Sequence, residues 1–246
     1  MKNEMKVCLL AALIVVSLGA WTPASAGLLW DYQIDIAGQG LAHDDLLSFQ
    51  ETGTASGCVT WSGTGDSYGA PCPGQETGDG LTWNDQQAGK SRTYSLSELV
   101  AGGITSAEEI GIVFNPAEPG GDTITLVYLA LTFYNTDGTV SETFIWESGP
   151  ASYCCDNTGT GGAGQLFRLD AETAAIVNAM WFSGSSWESN RIGVSAVITD
   201  SAGAMDRFYL TEAIGAAPVP EPASFVTLGS GLLGLAFLLR RYRKRS

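Results

Sequence analysis

Five cysteines, a single histidine and 26 acidic side chains are the residues of this chain with chemistry to offer. Four of the cysteines, Cys58, Cys72, Cys154 and Cys155, lie in Gly/Ser/Thr-rich stretches, and in an oxidising compartment they are expected to pair. Pairing Cys58 with Cys72 closes one loop and leaves a strained vicinal bridge between Cys154 and Cys155, so crossed pairing between the two stretches stays open. A zinc site built from the same four is disfavoured, because no CxxC spacing occurs. His43 stands beside Asp44 and Asp45, but no GxSxG elbow supplies the nucleophile that a triad would need. Carboxylate pairs for glycoside hydrolysis could be chosen at will from so many acids, and none is therefore singled out. No catalytic residue and no enzyme activity are expected.

Oxygen ligands give calcium a hearing. Asp122, Asp137, Asp156 and Asp200 fall at expected strand ends or turns, yet no EF-hand or RTX pattern is present, and Asp is also a common turn former. No cofactor is required, with calcium the one candidate ion. Trp61 and Trp83 sit in a Gly-rich stretch where a flat ring could stack on a sugar, whereas Trp30, Trp146 and Trp181 fall on patterned segments and are expected in the core. Residues 27–219 carry 24 acids against Lys90, Arg92, Arg168, Arg191 and Arg207, an excess of 19 negative charges. That balance excludes nucleic acid as a partner, since nothing would displace counterions from a phosphate backbone. An acidic polymer would be repelled within a Debye length of roughly 8 Å. Contact with a polysaccharide then needs either a neutral glycan or a shared divalent cation, and the charge excess favours the cation.

The elements that must position these residues read as mainly β. Thr123 to Tyr134 and Thr139 to Trp146 form a hairpin across Asn135-Thr136-Asp137-Gly138, with a first strand apolar on both faces and so central in its sheet. Ile192, Val194, Ala196 and Ile198 alternate with polar residues, which predicts one dry and one wet face; Asp206 to Thr211 is the expected hairpin partner. A helix opens at the N-cap Asp170, with Glu172 in its first turn, and runs through Trp181 to a stop near Gly184. A single turn starts at Thr105 or Ser106, three residues before Glu108 or Glu109. Gly53 to Lys90 and Ser148 to Gly164 read as long loops. The expected fold is an all-β sandwich of jelly-roll type with one packed helix.

Both ends of the chain read as signals. Met1 to Lys6 is polar, Val7 to Leu18 apolar, and Ala24-Ser25-Ala26 supplies the small residues of a cleavage site before Gly27, which makes residues 1–26 a signal peptide. Residues 27–217 form the exported domain. In residues 218–246, Ala223 to Leu239 runs 17 positions without a charge, enough to cross a hydrocarbon core of ~30 Å as a single transmembrane helix. Arg240, Arg241, Arg243, Lys244 and Arg245 follow and hold the tail in the cytoplasm, so the domain lies outside. Val219-Pro220-Glu221-Pro222 precedes the helix, and its two prolines keep the chain extended and unpaired.

That order of Pro-Glu-Pro, apolar helix and Arg-rich end resembles the PEP-CTERM sorting signal of Gram-negative bacteria. The resemblance covers residues 219–246 and implies recognition by a membrane-embedded processing enzyme, exosortase, with the cargo associated with exopolysaccharide and biofilm matrix. The stretch from Gly111 to Gly121 is also similar to cargo domains of that family, for which no activity is implied. The resulting expectation is an exported, non-enzymatic protein, anchored in the inner membrane with its domain outside and then delivered to the cell surface or extracellular matrix. A carbohydrate-binding module with an aromatic loop face is the alternative, and a secreted hydrolase the third reading.

Overall fold

The computed structural model describes residues 27–35, 45–74, 80–117, 123–154, 163–183 and 187–212. Their strands are β1 (Leu28–Asp35), β2 (Leu47–Phe49), β3 (Thr52–Trp61), β4 (Asp66–Tyr68), β5 (Tyr94–Ser95) and β6 (Ile110–Asn115). After these come β7 (Thr123–Tyr134), β8 (Val140–Ile145), β9 (Ala151–Cys154), β10 (Ala163–Leu169), β11 (Arg191–Ala202) and β12 (Asp206–Glu212). Helix α1 spans Leu96–Ala101 and α2 spans Ala171–Trp181, with single 3-10 turns at Ala107–Glu109 and Trp187–Ser189. The strands form two antiparallel sheets, one in the order β1-β10-β6-β12-β2, the other β4-β3-β11-β7-β8 with β5 against β11 and β9 against β7.

One core fills the space between the sheets. Ile112, Phe114, Phe167 and Phe208 from the first sheet meet Leu129, Leu131, Phe133 and Val194 from the second, all fully buried. Phe114 stacks on Phe208 with ring centres 4.8 Å apart, and Phe133 meets Trp181 of α2 at 5.6 Å. The expected hairpin is present as β7 and β8, and β7 lies between β11 and β8. Strict alternation along β7 fails at one place. Val197 pairs with Tyr128 and Ile198 with Leu126, which leaves Val127 as an extra residue. This bulge resets the parity, so Ile124 and Leu126 share the inner face with Leu129 and Leu131.

Three expectations change. Strand β12 does not pair with β11; after Ala202 the chain crosses to the other sheet, where β12 lies between β6 and β2. Alternation marks a half-buried strand but not its neighbour, and a short Gly-containing connection serves a crossing as well as a hairpin. The outer face of β11 is not wet either: Ser195 and Val197 are buried, because the segment that follows β4 packs over them. Nor is Gly53 to Lys90 a loop throughout, since Thr52–Trp61 is a ten-residue strand. Its composition is poor in aliphatics because another segment lies across it. A Cβ on Gly57 would sit 2.4 Å from Gln86 Oε1, and the Asp85 N–H donates to the Ser56 carbonyl at 3.0 Å.

Both helices are set by their caps. The Asp170 carboxylate accepts the Thr173 N–H at 2.8 Å and opens α2 where the sequence places it. The Ala107–Glu109 turn carries the expected box between Ser106 and Glu109. Helix α1 is an addition, made by the same device earlier in the chain: the Glu98 N–H donates to Ser95 Oγ and the Ser95 N–H donates to Glu98 Oε2.

Candidate functional site

At one end of the second sheet two hairpin turns touch. The β3–β4 turn closes with the Ser62 N–H on the Gly65 carbonyl at 3.0 Å, and the β7–β8 turn with the Gly138 N–H on the Asn135 carbonyl at 2.9 Å. Gly63 and Gly138 have φ of +88° and +89°, and each lies against the other turn's backbone. A Cβ on Gly63 would be 2.4 Å from the Asp137 carbonyl oxygen, and one on Gly138 2.4 Å from the Ser62 carbonyl carbon. Only glycine fits either position.

The β7–β8 turn forms one side of a cleft of about 450 Å³. Asn135, Thr136 and Asp137 line it from the β7–β8 turn. Met180 comes from the end of α2, and Ser183, Trp187 and Asn190 from the connection to β11. Thr136 is held in place by the Trp61 indole, whose Nε1–H donates to its carbonyl at 3.0 Å. The hydroxyl and backbone N–H of Thr139 donate to the Asp137 carboxylate and hold it below the usual carboxylate range, so it is an ionised acceptor. None of the described lining residues is cationic. Two amides, a carboxylate, hydroxyls and an indole suit an uncharged, hydroxyl-rich ligand better than an anion.

The aromatic residues differ from the sequence expectation. Trp61 is half-buried at this end, but the Arg191 guanidinium lies over its ring at 4.5 Å while donating to Thr93 Oγ1 at 2.7 Å, so that face is covered. Trp83 is only 2 % exposed; it packs edge-on against Tyr128 at 5.7 Å and joins Val197 and the sulfurs of Cys58 and Cys72 in a small outer cluster. Trp30, placed in the core by its pattern, is 49 % exposed on the edge strand β1, where the register breaks between Trp30 and Tyr32. Trp146 and Trp181 are buried. Trp187 and Asn190 had no periodic or motif signal, and Asn135 was marked only as a turn residue; amides at strand ends around an isolated Trp were the available clue.

Cys58 and Cys72 form a disulfide, with Cα atoms 5.8 Å apart. Cys154 ends β9, its backbone opposite Thr123, and Cys155 lies outside the described residues. Asp137 is at the cleft and Asp200 on β11, whereas Asp122 and Asp156 lie outside the described residues. Among the described residues no group of three or more His, Cys, Asp or Glu side chains could hold a metal. His43 and Asp44 are also outside them; Asp45 is buried and accepts the Ser48 hydroxyl at 2.6 Å.

The signal-peptide residues Ala24 and Ala26, Val219 to Pro222, the span Ala223 to Leu239 and the basic tail all lie outside the described residues. Among the described residues no helix is long and apolar enough to cross a membrane. Gly27 is described, and it is buried: its N–H donates to Asp170 Oδ2 at 2.6 Å, and its carbonyl accepts the Asp170 N–H at 3.1 Å.

Comparison with known proteins assigns the C-terminus. Residues 218–244 match the model of the PEP-CTERM protein-sorting motif, so the chain carries that sorting signal. The motif implies export and handling by an exosortase-type enzyme, with the C-terminus anchored in the membrane before processing. No curated protein and no solved structure matches the chain.

Proposed function

We propose that this is a non-enzymatic surface or exopolysaccharide-matrix protein of a biofilm-forming cell, exported through a signal peptide of residues 1–26 and sorted by exosortase. The PEP-CTERM match at residues 218–244 carries this reading. On it, Ala223 to Leu239 is a transmembrane helix that anchors the chain in the inner membrane. Arg240, Arg241, Arg243, Lys244 and Arg245 stop its transfer, and residues 27–217 are the exported domain. The domain is a jelly roll. Its strand order supports this, for the pairs β2·β12, β3·β11, β6·β10 and β7·β8 nest first with last, second with second-last and so inward, as two wound Greek keys require. Replacing Pro220, Glu221 and Pro222 together by Ala tests the sorting step. Export persists and a full-length, membrane-bound form accumulates if exosortase reads the motif; unchanged mature mass and location overturn it.

A carbohydrate-binding role is the second reading, favoured by the cleft between the β7–β8 turn and Trp187. It moves the site from Trp61 and Trp83 to Trp187, Asn135, Asp137 and Asn190.

A further inference from the structure

Gly27 is buried, and the atom of it that matters is its nitrogen. In the uncleaved chain this is a peptide N–H donating to Asp170 Oδ2 at 2.6 Å. Three features fix the position. The Gly27 carbonyl accepts the Asp170 N–H at 3.1 Å, so the two residues grip each other by both backbone and side chain. A Cβ on residue 27 would lie 2.8 Å from the Ile145 carbonyl oxygen, which reserves the place for glycine. Asp170 is held in turn by the Thr173 N–H at 2.8 Å and its hydroxyl at 2.9 Å, as the N-cap of α2. The chain next enters β1, whose Leu28 pairs with Leu169 just before the cap.

We infer that signal-peptide removal before Gly27 turns this hydrogen bond into a half-buried ion pair between the new α-ammonium group and the Asp170 carboxylate, so that processing itself locks the mature fold. The inference rests on the export reading through that one cleavage. Hydrolysis of the Ala26–Gly27 peptide bond adds one water across it: Ala26 leaves as a carboxylate, and Gly27 gains an amino group that takes up a proton. Before cleavage the contact is a neutral donor on a carboxylate; afterwards both partners are charged at unchanged positions, and charge-assisted hydrogen bonds are about twice as strong as neutral ones. The positive end of the group meets an acid that already serves the α2 N-terminus, so one carboxylate joins the chain start, the helix and the β1–β10 pair. Arg168 and Arg191 have other partners: Arg168 is paired with Asp31 at 3.0 Å and Arg191 with Glu98 at 3.6 Å.

A partner of this kind raises the folded-state pKa of the amino group above the usual α-amino range of roughly 7.7–8.0. The added stability is then fully present below that range and is lost as pH rises through the folded value. No such pH-dependent component exists in the precursor, whose residue 27 nitrogen is an amide.

The test compares the exported chain with a cleavage-blocked precursor carrying Ala24→Tyr and Ala26→Tyr, each with Asp170 and with Asp170→Asn, purified whole in detergent. Asn removes the charge and keeps one of the two accepting oxygens, so it retains either the bond from the Thr173 N–H or the bond from the residue 27 nitrogen, and that neutral loss is common to processed chain and precursor. Intact mass first establishes that the exported chain begins at Gly27. Near pH 7 we expect D170N to lower the Tm of the precursor through the lost neutral hydrogen bond and that of the processed chain by about 5 °C more, on the usual scale for a domain of this size. The difference between processed Asp and Asn forms should shrink as pH rises above 8. An equal Tm loss in processed chain and precursor, or a loss independent of pH, overturns the ion pair while leaving export intact. A mature chain that begins at any other residue overturns both the ion pair and the cleavage site.

Discussion

At the residue scale the disulfide explains why Trp83 is not a binding platform. Cys58 is on β3 and Cys72 on the segment that folds back over the sheet, and joining them holds that segment, with Trp83, against Tyr128 and Val197. Closing a loop between cysteines 14 positions apart is worth about 3 kcal/mol. Cys58→Ser with Cys72→Ser should therefore lower the urea midpoint and expose Trp83 to quenching; an unchanged midpoint would show that packing alone holds the segment. At the cleft, an array of uncharged glycans probed with and without calcium should detect a ligand for the full-length chain. Trp187→Ala should weaken that binding by roughly tenfold, the scale of a lost aromatic contact. Binding that survives Trp187→Ala but falls on Trp61→Ala would return the site to a residue that the sequence offered as one alternative. The sequence misplaced Trp30 and left Trp61 and Trp83 open between a binding platform and a pin for a long segment, for one reason: exposure depends on which distant segment lies across a strand. Local composition does not record that.

At the element scale, the caps of α2 and the Ala107–Glu109 turn and the β7–β8 hairpin were legible, because each is written within four residues or in a strong alternation. Strand β3 was not, since Gly and Ser that accommodate an overlying backbone look the same as Gly and Ser in a loop. The bulge at Val127 is a long-range register property and leaves no local mark. Helix α1 makes a pH-dependent anchor. Burial raises the Glu98 pKa, but hydrogen bonds from Ser95 and from Arg92 at 2.8 Å outweigh it and hold the carboxyl below its usual value of 4.5. A depressed folded-state value contributes stability above the unfolded value that is lost as pH falls through the folded one. Acid titration should loosen α1 below pH 4.5, and Glu98→Gln should flatten that part of the stability profile; an identical acid limb in the variant would remove the claim. The two touching turns give a steric counterpart. Gly138→Ala should cost about 1–3 kcal/mol by overpacking, with its positive φ adding to the strain.

For the whole molecule, a mainly β fold followed from composition and punctuation, while the nested strand order needed the pairing partners of β12, which no local pattern supplies. The ends were more legible than the middle, because a sorting signal is linear: Pro220, Glu221 and Pro222, an uncharged run and a basic tail must stand in that order to be read by an enzyme and a membrane. A folded ligand site has no such linear form, and Asn135, Trp187 and Asn190 meet only after the chain has crossed between sheets. The most direct measurement of the central claim is the intact mass of the chain recovered from the cell surface or matrix, compared with that of the chain in the inner membrane. The expected result is a surface form that begins at Gly27 and lacks Arg240 to Arg245, with a tail-bearing form confined to the membrane. A surface form that retains the basic tail, or one that begins at Met1, would contradict it.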